Sequence, residues 1–208
     1  MFKKSSEDRK KESLELLNNI GINVDKDLPV IDTSNISMRT KDEIAKRAIS
    51  CLFSIQASLI DIKDYDYSFF EDKLIKYGVK DCLTEQEKLI FEGKMDKEDL
   101  KLMPWKYESY WILCWVLGFV SKLNIPNECC DFDNAIDFIF RCNDFEDFIS
   151  KVKLIDAEKV LDEYDFTYRL NNVIDDDSNK DNHSILRAIV SERYMALKWV
   201  LYSDAEWL

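Results

Sequence analysis

Pro104-Trp105-Lys106-Tyr107-Glu108-Ser109-Tyr110-Trp111-Ile112-Leu113-Cys114-Trp115-Val116-Leu117-Gly118 carries three of the five tryptophans of the chain. Its spacing predicts one helix over Trp105–Leu123. Pro104 suits a first helical turn, where its missing N–H has no intrahelical partner to lose. From Trp111 to Val120 every residue is apolar or glycine, so this helix is expected to be covered on most sides by protein. The run is far short of the ~20 apolar residues that span a bilayer. A single carboxylate, Glu108, lies inside its apolar face.

Working outward, helical signals recur on both sides. Leu14, Leu16, Leu17 and Ile20 predict a first helix from Ser6 to about Ile20, stopped by Gly21. An irregular arm, 22–39, is expected to lie over the core. Thr40-Lys41-Asp42-Glu43 has the form of a capping box, followed by Ile44, Ala48, Leu52, Ile55, Leu59 and Ile62 at helical spacing. Shorter helices are predicted over Tyr67–Tyr77, ended by Gly78, and from a second capping box at Thr84 to Gly93. Further helices are predicted over Asp96–Leu102, from a cap at Asp133, over Asp144–Val152 and from Asp156 to about Ile174. The last should run from Ser184 to about Tyr202, after an acidic surface loop. No stretch alternates with period two. Four glycines and three prolines leave little turn chemistry for hairpins. The expectation is one all-α domain, an irregular bundle of about eight to ten helices around the tryptophan-rich one. Within it, 1–39 forms a helix and extended arm, and 40–208 the helical core.

Composition excludes several functions. With 41 acidic against 29 basic residues the net charge is −12. Such a surface repels phosphate backbones, so no nucleic-acid partner is expected. It suits solubility and, where there is a partner, a basic protein. No membrane segment and no signal peptide are read. The six cysteines then point to free thiols in a reducing, cytoplasmic setting. No cofactor and no metal are predicted. The only histidine is His183, and no cysteine pair has chelating spacing. Counted from Asp175, a calcium loop would need Gly at the sixth position and Glu at the twelfth, where Lys180 and Leu186 stand. Glycine-rich phosphate loops and a serine nucleophile elbow are missing.

What remains is a set of charges inside apolar rows. Glu108 interrupts Pro104, Trp111, Trp115 and Phe119, and Arg193 interrupts Val190, Leu197 and Val200. Glu192 falls in a neighbouring row with Ile189, Ala196 and Trp199, and Arg169 sits between Phe166 and Val173. Buried charges must be paired, so Glu108, Arg169, Glu192 and Arg193 are predicted to share one polar network. Trp105 and Tyr168 complete the candidate set. Such a network is first of all structural, with a ligand site and a catalytic site as the alternatives.

Trp105-Lys106-Tyr107-Glu108 with Trp111, Trp115 and Gly118 resembles the signature of a bacterial family, domain of unknown function 4272. Further matching stretches are Arg39 with Glu43-Ile44-Ala45-Lys46-Arg47-Ala48, Tyr168-Arg169, Val190-Ser191-Glu192-Arg193 and Asp204-Ala205-Glu206-Trp207. The resemblance covers nearly the whole chain and implies a single helical domain with no established activity. The reading favours a non-enzymatic binding or interaction domain with an acidic surface, such as an antitoxin-like or immunity-like partner of a basic protein. The alternative is a small-molecule-binding protein or hydrolase built on the Glu/Arg cluster.

Overall fold

The computed structural model describes residues 3–60, 67–174 and 187–207. Helices α1 (Ser6–Asn19), α2 (Lys41–Ser58), α3 (Ser68–Lys76), α4 (Glu85–Phe91) and α5 (Lys97–Leu102) fill the first half. They are followed by α6 (Lys106–Val116), α7 (Phe132–Phe140), α8 (Phe145–Lys151), α9 (Ala157–Ile174) and α10 (Arg187–Leu201). Short 3-10 turns occur at Lys80–Cys82 and Met103–Trp105, and no strand occurs among the described residues. The fold is therefore an irregular all-helical bundle, as the sequence predicts.

Packing neighbours run α1, α9, α10, α6, α2, with α3, α4 and α8 set against α2. The two innermost helices, α2 and α6, are buried on most sides: only six of the eighteen residues of α2 and two of the eleven of α6 are not buried. The capping boxes form as read. Thr40 N–H donates to Glu43 at 2.8 Å, and Thr84 N–H to Glu87 at 2.8 Å. These reciprocal bonds satisfy donors that a helix start otherwise leaves open.

The tryptophan helix differs from its predicted extent. Its entry is a 3-10 turn over Met103–Trp105, and its regular part stops at Val116 although the apolar run continues. Gly118, at φ +85°, is the cause. Its N–H donates to Trp115 O and that of Phe119 to Cys114 O, both at 2.9 Å, closing the helix in a Schellman arrangement. The chain after α8 then crosses the helix end. The N–H groups of Lys153 and Ile155 reach Leu117 O and Val116 O, each at 3.0 Å. A Cβ on Gly118 would sit 2.3 Å from Lys153 O, so both the left-handed conformation and the close approach require glycine.

Three further expectations change. Asp131, not Asp133, caps α7, accepting from Asn134 N–H. The buried face of α1 is Arg9, Ser13 and Leu17, while Leu16 and Ile20 are exposed. Leu59 lies past the end of α2 and is exposed. Ile62, the loop from Asp175, His183 and the predicted start at Ser184 lie outside the described residues.

Two apolar cores result. The larger surrounds α2 and α6. The smaller joins Leu17, Ile22 and Val24 of the N-terminal segment to Leu170, Val173 and Val190. The arm is tied down by backbone bonds, with Ser37 and Arg39 N–H donating to Leu201 O and Val200 O at 3.0 and 2.9 Å.

Candidate functional site

Glu108, in the first turn of α6, and Arg193, midway along α10, meet in the interior. Arg193 Nε donates to Glu108 Oε2 at 3.1 Å, and the backbone N–H of Cys130 donates to Oε1 at 2.6 Å. Arg193 Nη1 donates to Asn124 O at 2.7 Å. Glu108 and Arg193 are both buried. The pair thus fixes two points of the segment between α6 and α7 to the α6–α10 seam. Burial, reinforced by the Glu108 charge, pushes the Cys130 thiol far up, so that it stays protonated.

Glu192, one residue from Arg193, points to different partners. Its Oε2 accepts from Ser109 Oγ at 2.6 Å and from Lys106 Nζ at 3.1 Å. This second cluster lies beside the first on the same seam. Glu192, Lys106 and Trp105 help line an open cavity of about 330 Å³ with Met95, Leu102 and Met103.

Arg169 does not join either group, which corrects the four-membered network. It pairs with Asp165, one turn earlier on α9, through Nε at 2.9 Å and Nη2 at 2.8 Å, and Nη2 also reaches Pro29 O at 3.3 Å. Both side chains are fully buried. A carboxylate four residues away on the same helix is the nearest partner that geometry offers, and it removes the need for a distant one. Tyr168 stands beside this pair, its ring 5.8 Å from the Arg169 guanidinium carbon.

Two further buried arginines and their ion pairs were not read from the sequence. Arg9 of α1 pairs with Glu158 and Asp162 of α9. Arg47 of α2 donates to Glu87 Oε1 at 2.5 Å and to Cys82 O at 2.9 Å. Glu87 therefore caps α4 with one oxygen and holds α2 with the other. The signal was present: Arg9 precedes Ser13 and Leu17 at helical spacing, and Arg47 sits among the apolar residues of α2. Near Arg47 the C-terminal segment folds back. Arg39 donates to the carbonyls of Trp199, Ser203 and Ala205 at 2.9, 3.0 and 2.9 Å, and Trp207 meets Trp199 edge-on at 5.4 Å.

All six cysteines are free, Cys129 being the exposed one. Among the described residues, no three His, Cys, Asp or Glu side chains gather as a metal would require. Nor is any helix there long and apolar enough to cross a membrane.

An irregular all-helical bundle with several buried ion pairs defines the class of this protein as a single helical domain. The family model described as domain of unknown function (DUF4272) matches residues 9–208, and the chain belongs to that family. Comparison with curated proteins and with solved structures gives no match.

Proposed function

We propose that the protein is a non-enzymatic interaction domain that meets a basic protein partner through an acidic face around α7 and α8. The observation that carries this reading is the charge of residues 127–147. Glu128, Asp131, Asp133, Asp137, Asp144, Glu146 and Asp147 stand there against Arg141 as the single basic residue. Phe132 and Phe140, at the two ends of α7, are exposed among them. Opposed charges steer encounter, and aromatic side chains supply contact area once the partners touch. A cytoplasmic, reducing setting fits the free thiols.

The alternative, a hydrolase or ligand-binding protein built on Glu108, Arg169, Glu192 and Arg193, has less support. Both carboxylate oxygens of Glu108 accept from protein donors, Arg169 is paired with Asp165, and the four residues divide among three separate clusters.

The test is zero-length carbodiimide cross-linking in a lysate, with the linked residues mapped by mass spectrometry. It is repeated with Glu128→Lys, Asp133→Lys and Glu146→Lys combined, all three being exposed. The reading expects a basic protein linked through 128–147, weakened by salt and lost in the variant while the circular dichroism spectrum is unchanged. Links that map elsewhere, or that survive the charge reversal, overturn it.

A further inference from the structure

A cleft of about 510 Å³ opens between α1, α9 and the segment 121–125. Leu16, Ile20, Trp115, Leu123, Ile125 and Phe166 make its walls apolar. Leu16 is 56% exposed, Ile20 38% and Ile125 43%, so three aliphatic side chains stand open to water around one depression. Isolated exposed aliphatic residues are ordinary, but several around one concavity of this size are what a small-molecule site looks like.

Two carboxylates, Asp162 and Glu163, enter this lining. Glu163 of α9 is half-buried, and its hydrogen bond from Thr167 Oγ1 is 3.5 Å long, at the limit of such a contact. Burial raises its pKa, against the opposing pull of Arg193 and Thr167. The other charges around the cleft do not pair with it. Asp162 is held by Arg9 and Lys4, Arg193 is spent on Glu108 and Asn124 O, and Lys122 and Lys159 are exposed at the rim. A carboxylate in apolar surroundings with open lone pairs is poorly solvated. A ligand that brings N–H donors on a positive charge repairs this, and its apolar body fills the walls.

We propose that the cleft binds a small amphipathic ammonium ion, its apolar body against Leu16, Ile20, Trp115, Ile125 and Phe166 and its N–H donors on Glu163. This site is separate from the acidic face, so either assignment can fail without the other.

The probes are octylammonium, octanol and octanoate at equal ionic strength near neutral pH. Binding is read by calorimetry and by the tryptophan fluorescence that Trp115 reports from the cleft wall. Octylammonium should bind at least ~10-fold more tightly than octanol, the discrimination expected of one charge-assisted hydrogen bond. Glu163→Gln should bring octylammonium to the octanol level and leave octanol unchanged. Since burial disfavours the Glu163 charge, that variant should unfold at the same or a higher urea concentration than the parent, which separates lost binding from lost fold. Leu16→Ser should weaken octylammonium and octanol together. Three results overturn the proposal: tighter binding of octanoate through the rim lysines, the same preference after Glu163→Gln, or no binding of octylammonium at millimolar concentration.

Discussion

Replacing Glu108 by glutamine tests whether the buried pair holds α6 and α10 together. The carboxylate has two acceptor oxygens in use, one for Cys130 N–H at 2.6 Å and one for Arg193 Nε at 3.1 Å. A glutamine amide has one oxygen, so its NH₂ must face one of two donors. Removing one partner of a buried ion pair costs about 3–5 kcal/mol. The retained acceptor recovers about 1 kcal/mol, leaving a loss of roughly 3 kcal/mol by that arithmetic. For a chain of this length, with a urea dependence near the upper end of the usual range at ~3 kcal/mol per molar, the unfolding midpoint should fall by about 1 M. Arg193→Met strands the carboxylate and also frees Asn124 O, so its loss should be larger, about 4 kcal/mol. The double variant buries no charge at this point. It should lose about 4 kcal/mol in place of the ~7 that addition predicts, a coupling near 3 kcal/mol. The assay is equilibrium urea unfolding of the four proteins, followed by far-ultraviolet circular dichroism. Additive losses, or a Glu108→Gln midpoint indistinguishable from the parent, would show that the pair is not coupled and refute the reasoning.

Three further outcomes are expected. Gly118→Ala, which must adopt φ +85° and place its Cβ against Lys153 O, should destabilise by more than the ~1–2 kcal/mol of a left-handed alanine alone. Gly78→Ala, with open space around its Cβ, should cost only that backbone penalty, and urea unfolding compares the two. Stability should also fall at alkaline pH. Burial raises Cys51 from 9.0 to about 12, and Tyr77 and Tyr107 from 10.0 to about 12. Unfolded chains lose these protons from about pH 9 upward while the folded chain keeps them, so the contribution is complete below pH 9 and is lost as pH rises towards 12. A urea midpoint that stays level from pH 8 to 11 would contradict this. Finally, Cys129 should react at once with a thiol reagent in the native protein, whereas Cys51, Cys114, Cys130 and Cys142 should react only as the chain unfolds. Fast modification of all four buried thiols would contradict their placement.

Much of the helical framework was legible because the signals that set it are local. A capping box at Thr40 or Thr84 needs only the residue three positions on, and Gly21, Gly78 and Gly93 end their helices from within a few residues. The helix stop at Gly118 is hidden because hydrophobicity continues through it. Helix termination there depends on a left-handed residue and on carbonyls satisfied by Lys153 and Ile155, and neither shows in the apolar pattern. The candidate site was legible in part for the same reason. Row arithmetic correctly placed Glu108 and Arg193 on buried faces, but it could not choose between a partner across a seam and one on the same helix. Asp165 captured Arg169, and Lys106 with Ser109 captured Glu192. Arg9 and Arg47 were overlooked because each stands in a row that also carries polar residues. The cleft beside Glu163 comes from three segments distant in sequence, and no single window contains it.

The division of the apolar interior into two unequal parts has a consequence for how the molecule breathes. Helix α1 and the first part of the arm, Ile22 and Val24, are attached through a handful of aliphatic residues and through the ionic clamp of Arg9 on Glu158 and Asp162. The α2–α6 region shares none of these contacts. The N-terminal segment can therefore detach as a unit at a fraction of the cost of global unfolding, and amide protons of α1 should exchange well before those of α2 and α6. Electrolyte loosens the clamp and leaves the larger core untouched. Because Leu16 and Ile20 form one wall of the cleft, each such excursion dismantles it, and any molecule seated there slows the exchange of a helix that begins 157 residues before Glu163.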